Sequence, residues 1–162
     1  MPETPLLAGL PPVLDQRTRI LVLGSFPGAA SLAASQYYAH PRNQFWPMMS
    51  ALLEDDLAAM PYEKRVKRLQ GHGVGLWDVI VACERKGSLD SAIRRAQNAD
   101  FGFLAQACPR LQTIGFNGKA AGRAEPRFAD AGYRTLVLPS TSPAYVQLSF
   151  QQKLAQWRAL LG

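Results

Sequence analysis

The chain has 162 residues, 48% of them hydrophobic and 19% charged, enough to build one domain around a proper core with the composition of an ordinary globular protein. Its formal charge of +6 and pI of about 9.7 favour a polyanionic partner such as nucleic acid. No apolar run reaches the roughly 18 residues that cross a bilayer, and Cys83 and Cys108 are too few for a disulfide framework or an all-cysteine metal cluster.

Met1–Arg17, rich in proline and leucine, reads as an extended lead-in. It lacks the basic start and apolar centre of a secretory signal, so a cytoplasmic location is the expectation. Arg19–Gly24 is a short β-branched run stopped by glycine, the pattern of a strand buried on both faces. Phe45–Leu53 has helical spacing, with Phe45, Met48, Met49, Leu52 and Leu53 on one side. Tyr62–Gln70 predicts a basic, solvated helix, and Val74–Ile80 a second strand. Ser88–Arg95 and Asp100–Ala107 predict short helices capped by Ser88 and Asp100. Leu111–Phe116 is a third strand. Lys119–Ala131 is a helix that Pro126 kinks or splits, and Arg134–Leu138 is a fourth strand. Ser149–Leu161 closes the chain as an amphipathic helix with Leu154, Trp157, Leu160 and Leu161 inward. Strands alternating with helices imply an α/β domain: a four-stranded parallel sheet flanked by helices on both faces, with right-handed crossovers.

Ligands of such sheets bind outside the carboxyl ends of the strands. Four segments sit there: Gly24–Gly28, Asp78, Asn117-Gly118 and Ser140–Ala144. Gly24-Ser25-Phe26-Pro27-Gly28 permits close approach of a ligand to backbone N–H groups. It is neither a nucleotide-hydrolase phosphate loop nor a dinucleotide fingerprint, because the lysine of the first and the third glycine of the second are missing. The run Tyr37-Tyr38-Ala39-His40-Pro41-Arg42-Asn43-Gln44-Phe45-Trp46 gathers aromatic faces, a cation, a histidine and an amide into one loop. Tyr37 and Tyr38 offer ring faces for base stacking, worth about 1–3 kcal/mol per base. Arg42 suits a phosphate. Asn43 suits either the positioning of a water or the capping of the helix that follows. Phe45, Trp46 and Trp77 read as core. Arg85, Arg94 and Arg95 are further candidates for phosphate contacts, and Glu84–Gly87 is either a DNA-facing loop or a solvated turn.

The sequence Gly-Ser-Phe-Pro-Gly, then Tyr-Tyr-Ala-His-Pro-Arg-Asn-Gln-Phe-Trp, then Leu-Pro-Ser-Thr-Ser-Pro-Ala, in that order, resembles the uracil-DNA glycosylase superfamily. It is most similar to the hypoxanthine-DNA glycosylase branch, and the resemblance spans Leu21 to about Ala144. It implies a monomeric enzyme of one domain over residues 1–162. Such an enzyme flips a deaminated base out of DNA and hydrolyses its N-glycosidic bond without metal or cofactor. It places Asn43 as the catalytic amide, Tyr38 as the stacking aromatic, and Ser140, Thr141, Ser142, Pro143 and Ala144 in the motif that approaches the DNA. Ser25, Phe26 and Gly28 fall in the first motif of the base pocket. Phe26 stands where the mismatch-specific enzymes carry a catalytic asparagine, which argues against uracil excision driven from that loop. Asp78 stands where many uracil enzymes carry a base-reading asparagine; it reads either as a base contact or as a turn cap. His40 reads as a donor to the departing base or as a histidine bonded to backbone beside Pro41. The readings left open are hypoxanthine excision, uracil or mismatch excision, a catalytically silent lesion-binding module and a small-nucleotide binder.

Overall fold

A strand whose side chains are apolar at every position has no solvent face, and Ile20–Gly24 is buried along nearly its whole length. The computed structural model describes residues 5–162. In chain order it contains β1 (Leu7–Ala8), β2 (Ile20–Gly24), α1 (Ala29–Ala34), α2 (Phe45–Leu53), α3 (Tyr62–Gly71), β3 (Val74–Asp78), β4 (Ile80–Glu84), β5 (Arg94–Asn98), α4 (Leu104–Ala107), β6 (Thr113–Asn117), α5 (Lys119–Gly122), α6 (Glu125–Asp130), β7 (Arg134–Leu138) and α7 (Phe150–Trp157). The main sheet has the order β3-β2-β6-β7, with every adjacent pair parallel.

Successive side chains of a strand point to opposite faces, so β2 divides the core in two. Val22 joins Phe45, Met48 and Met49 of α2, Leu69 of α3, and Leu154 and Trp157 of α7 on one face. Leu21 and Leu23 join Ile114 and Phe116 of β6, Leu104 of α4 and Phe128 of α6 on the other. Phe45, Met48 and Met49 are fully buried, each contributing about 1.5–3 kcal/mol. The expected parallel sheet with helices on both faces is therefore present. Trp46 and Trp77 are core residues, and Cys83 and Cys108 are buried free thiols. No helix of the described residues is long and apolar enough to cross a membrane.

Several expected elements differ. Val74–Ile80 is not one strand: β3 ends at Asp78, and the chain then follows the loop after β2, with the Val79 N–H on Gly24 O at 2.8 Å and the Ile80 N–H on Ser25 O at 3.0 Å. It continues as β4 of a second sheet with order β1-β4-β5. Of Ser88–Arg95 only a single 3-10 turn, Asp90–Ala92, is helical. The Ser88 hydroxyl accepts from the Ala29 N–H at 2.9 Å across the chain instead of capping its own segment, and β5 pairs antiparallel with β4. Of Asp100–Ala107 only α4 is helical, because Asp100 closes a tight turn onto the Gly102 N–H at 2.9 Å. The lead-in supplies β1, and residues 1–4 of it lie outside the described residues. The helix expected over Lys119–Ala131 does split, with Pro126 in the first turn of α6. Ser149 and Gln152 cap α7 reciprocally, but Leu161, expected inward, is 47% exposed.

Candidate active site

The loops leaving the carboxyl ends of β2, β6 and β7 converge on one cavity of about 740 Å³, closed on its other sides by the α1–α2 loop, Asp78 and Ser88–Ser91. This is the crevice where strand connections of the sheet diverge, β2 leading outward to β3 and β6 outward to β7. Its volume suits a nucleoside-sized ligand.

Asn43 borders the cavity. Its Oδ1 accepts from the Phe45 N–H at 2.9 Å and so satisfies the first N–H of α2 from the position before the N-cap residue Gln44. The capping and the site-facing readings thus hold together: one lone pair of Oδ1 is used, while the second and the amide NH2 take no partner among the described residues. His40 also borders the cavity. Its Nδ1 accepts from the Arg42 N–H at 3.1 Å, which puts the proton of the neutral ring on Nε2, where it can be donated. The Arg42 side chain is exposed at the edge of this loop.

The two tyrosines part company. Tyr37 is 4% exposed, with its hydroxyl on Pro11 O at 2.8 Å, so it is core and offers no stacking face. Tyr38 holds a left-handed backbone, φ 56°, which turns its ring toward the cavity. Phe45 covers one face of that ring, centroids 4.1 Å apart. The Tyr38 hydroxyl reaches the end of β2, where Gly24 leaves room for it and for the Asp78 carboxyl. Asp78 is 5% exposed. The Tyr38 hydroxyl and Asp78 Oδ2 are buried without hydrogen-bond partners. Burial pushes the Asp78 carboxyl up to about 7; Asp90 adds to the rise and Arg85 opposes it. Burial likewise pushes the Tyr38 phenol far up, with the charge of Asp78 adding to the rise.

Ser25, Phe26 and Gly28 line the cavity. The Ser25 hydroxyl is held by Asp90. The N–H groups of Phe26 and Gly28 take no hydrogen bond among the described residues and are free to meet an anion. Arg85 is the main departure from the sequence reading. It is 5% exposed, donates to Pro27 O at 2.7 Å and Gly87 O at 2.8 Å, and lies over the Phe26 ring at 5.2 Å. It fastens the first loop from inside, with Nη1 buried and without a partner among the described residues. Arg94 is spent on Ser91 O and Ile93 O, both at 2.9 Å. Arg95 stands 3.6 Å from Glu84.

Ser140, Ser142, Pro143 and Ala144 line the cavity wall opposite the first loop. Thr141 is fully buried and works as a pin. It exchanges hydrogen bonds with the Asn117 amide at 2.9 and 3.0 Å, and its carbonyl accepts from the Gln44 N–H at 2.9 Å. Two residues have positioning roles that the sequence did not assign: Asn117, placed there only at a strand end, and Lys153. Asn117 ends β6 and reads as a turn residue on its own. Lys153 of α7 is 1% exposed and donates to Gln44 Oε1 and Tyr145 O, both at 2.8 Å. Its signal was present: Phe150, Lys153, Leu154 and Trp157 share one helical face, and a lysine there points into the core. Val146, 80% exposed, stands on the loop beside the cavity mouth.

A strand-end crevice with an unpaired amide, an aromatic wall and free backbone N–H groups defines a site for a flat polar ring attached to an anionic chain. The uracil DNA glycosylase superfamily model matches residues 11–161, and the chain belongs to that superfamily. A hypoxanthine DNA glycosylase of Methanosarcina acetivorans is 42% identical over 94% of this chain and 96% of its own length. A hypoxanthine DNA glycosylase of Methanosarcina barkeri is 40% identical over 84% of this chain and 86% of its own. The solution NMR structure of a Methanosarcina acetivorans protein provisionally assigned as a uracil DNA glycosylase superposes with a TM-score of 0.85 at 41% identity, covering 97% of this chain and 99% of the other.

Proposed function

We propose that this chain is a monofunctional DNA glycosylase that removes hypoxanthine from deoxyinosine, acting as a cytoplasmic monomer with all of residues 1–162 in one catalytic domain. Relatives named hypoxanthine DNA glycosylase match it nearly end to end. The observation that carries the reading is the cavity itself, which Asn43, Tyr38, Phe26 and His40 share.

Glycosidic cleavage builds positive charge on the sugar and negative charge on the departing base, and it proceeds without a strong base if both are met. The free lone pair of Asn43 Oδ1 accepts from a water and holds it against the sugar carbon, acting by placement. As the water oxygen bonds to that carbon, the pair of the breaking C–N bond passes to the base and the water's proton passes to solvent. The N–H groups of Phe26 and Gly28 face the developing anion, and His40 Nε2–H donates to the base. Arg42 and the Ser140–Ala144 loop meet the strand on either side, and Val146 supplies the apolar surface that fills the gap left by a flipped nucleotide.

The test is an oligonucleotide panel carrying deoxyinosine, deoxyuridine, deoxyxanthosine or a G·T mismatch, with alkali revealing abasic sites. Cleavage at inosine is expected. Asn43→Ala is expected to lower it about a hundredfold or more while duplex binding persists, and to cost only about 1 kcal/mol of stability for the lost hydrogen bond. A second reading, uracil or mismatch excision, is supported by the 31% identity over 59% of this chain, and only 28% of the other's length, to a G/U mismatch-specific uracil DNA glycosylase of Schizosaccharomyces pombe; cleavage at uracil but not inosine would select it. Lesion binding without an abasic product would leave only a silent reader.

A further inference from the structure

Asp78 and Asp90 both line the cavity, but whereas Asp90 is held by the Ser25 hydroxyl, the surroundings of the Asp78 carboxyl are unusual for an ionised acid. Asp78 lines the cavity while remaining 5% exposed. No described residue donates a hydrogen bond to it, and Oδ2 is left bare. A buried carboxylate needs such donors or a paired cation. The nearest cation, Arg85, turns its Nε and Nη2 to the carbonyls of Gly87 and Pro27, and its Nη1 is buried without a partner among the described residues and makes no hydrogen bond to Asp78. The Tyr38 hydroxyl, also unpaired, sits beside the same Gly24 as the carboxyl.

Deamination of adenine replaces an amidine edge by a lactam: a ring N–H next to a carbonyl oxygen. Resting on the glycosylase reading, we infer that Asp78 recognises this lactam edge as a neutral carboxylic acid, its carbonyl oxygen accepting the ring N–H and its O–H donating to the ring carbonyl.

The physical case has three parts. An ionised Asp78 accepts but does not donate, so it would set negative charge against the lone pairs of the ring carbonyl. The repulsion would grow during cleavage, as the departing base gathers electrons, whereas a neutral acid's hydrogen bond strengthens. The charged and titratable groups facing Asp78 are Asp90 and Arg85 from the β4–β5 connection and Tyr37 and Tyr38 from the α1–α2 loop. Burial, helped by Asp90 and opposed by Arg85, keeps the acid protonated up to about pH 7. The bound base, which uses the acid's proton, extends that range upward. An acid can exchange its donor and acceptor, so Asp78 reads the edge without by itself rejecting adenine; the lower cost of flipping a mispaired base supplies that part.

The experiment measures single-turnover release of hypoxanthine and, in parallel, binding of the Asn43→Ala protein to inosine and undamaged duplexes, each from about pH 6 to 9. Wild-type release is expected to fall on the alkaline side, approaching about tenfold per pH unit. Asp78→Asn offers the same carbonyl and a permanent N–H donor. It should stay within about threefold of wild type near pH 6 and lose the alkaline fall. Asp78→Ala should lose about a hundredfold or more. The preference of the Asn43→Ala protein for inosine should fade over the same pH range, and should persist to high pH once Asp78→Asn is added. Wild-type release that is flat with pH would overturn the inference. So would an Asp78→Asn protein that melts normally yet is as inactive as Asp78→Ala, because the charged form would then be the working one. If no base is released at any pH while inosine binding keeps this dependence, the glycosylase reading fails and the role of Asp78 stands. Release with pH-independent binding and rate gives the converse.

Discussion

Gly24 is a glycine because two side chains need its space. A Cβ there would lie 2.5 Å from Asp78 Oδ1 and 3.3 Å from the Tyr38 hydroxyl. Both are ends of side chains, so the backbone tolerates the change while the floor of the cavity does not. Gly24→Ala is expected to lower hypoxanthine release by about ten- to a hundredfold by displacing the two groups, with a melting temperature close to wild type near pH 6; unchanged release would show that neither group touches the base. The charge of Asp78 is also visible in stability. Its folded value is raised, so the folded chain holds the proton more tightly than the unfolded one, and stability is fully present below about pH 4 and falls as pH rises toward 7. Thermal melts in which Asp78→Asn gains on wild type between those limits would register it. At this scale much of the site was legible: an asparagine in a proline-started aromatic loop and an aspartate ending a strand are unusual enough to be singled out. Burial was not. Arg85 and Arg42 are the same residue type in similar polar loops, and only the fold turns the first inward over Phe26 and leaves the second in solvent.

At the scale of elements, α7 does more than cover the sheet. Its buried Lys153 joins Gln44, at the start of α2, to Tyr145, in the loop after β7, and burial holds that ammonium below the usual lysine range. The two loops it joins carry Asn43 and the Ser140–Ala144 wall. Lys153→Met keeps the stem's packing and removes the bridge. It is expected to lower the rate of base release by about tenfold while changing the affinity for undamaged duplex little, since Lys153 does not reach the surface. An equal loss in both would mean that the substitution unfolds the loops and does not merely loosen them. The main sheet was readable because strands buried on both faces carry their signal locally, in runs such as Ile20–Leu23 and Thr113–Phe116. The second sheet carries none: Arg94–Asn98 is Arg-Arg-Ala-Gln-Asn, exposed throughout, and it is a strand only because β4 lies beside it in an irregular register. The helix expected over Ser88–Arg95 overlaps it only at Arg94 and Arg95, where tertiary pairing prevails.

At the scale of the molecule, the charge of +6 gives a duplex something to bind before any lesion is found. Cations that are free at the cavity mouth must dominate this term, since each neutralised phosphate releases counterions while a cation already spent on the protein adds little. Arg42 is exposed on the loop that carries Asn43, and Lys119 lines the cavity beside β6. Arg94, by contrast, is tied to its own turn. The affinity for undamaged duplex should therefore fall with salt with a logarithmic slope of about −3 to −5, corresponding to a handful of phosphates. Arg42→Ala should reduce that slope by about 1 and weaken inosine and undamaged duplexes alike, because a phosphate contact carries no information about the base. Arg94→Ala should change the slope by less. Fluorescence anisotropy across a salt series, repeated for the two variants, measures all of this on the intact chain. A slope near zero for wild type would remove the electrostatic term. A loss confined to inosine duplexes on Arg42→Ala would move that arginine from the backbone to the flipped base, where it would stand beside Asn43 as a contact to the lesion.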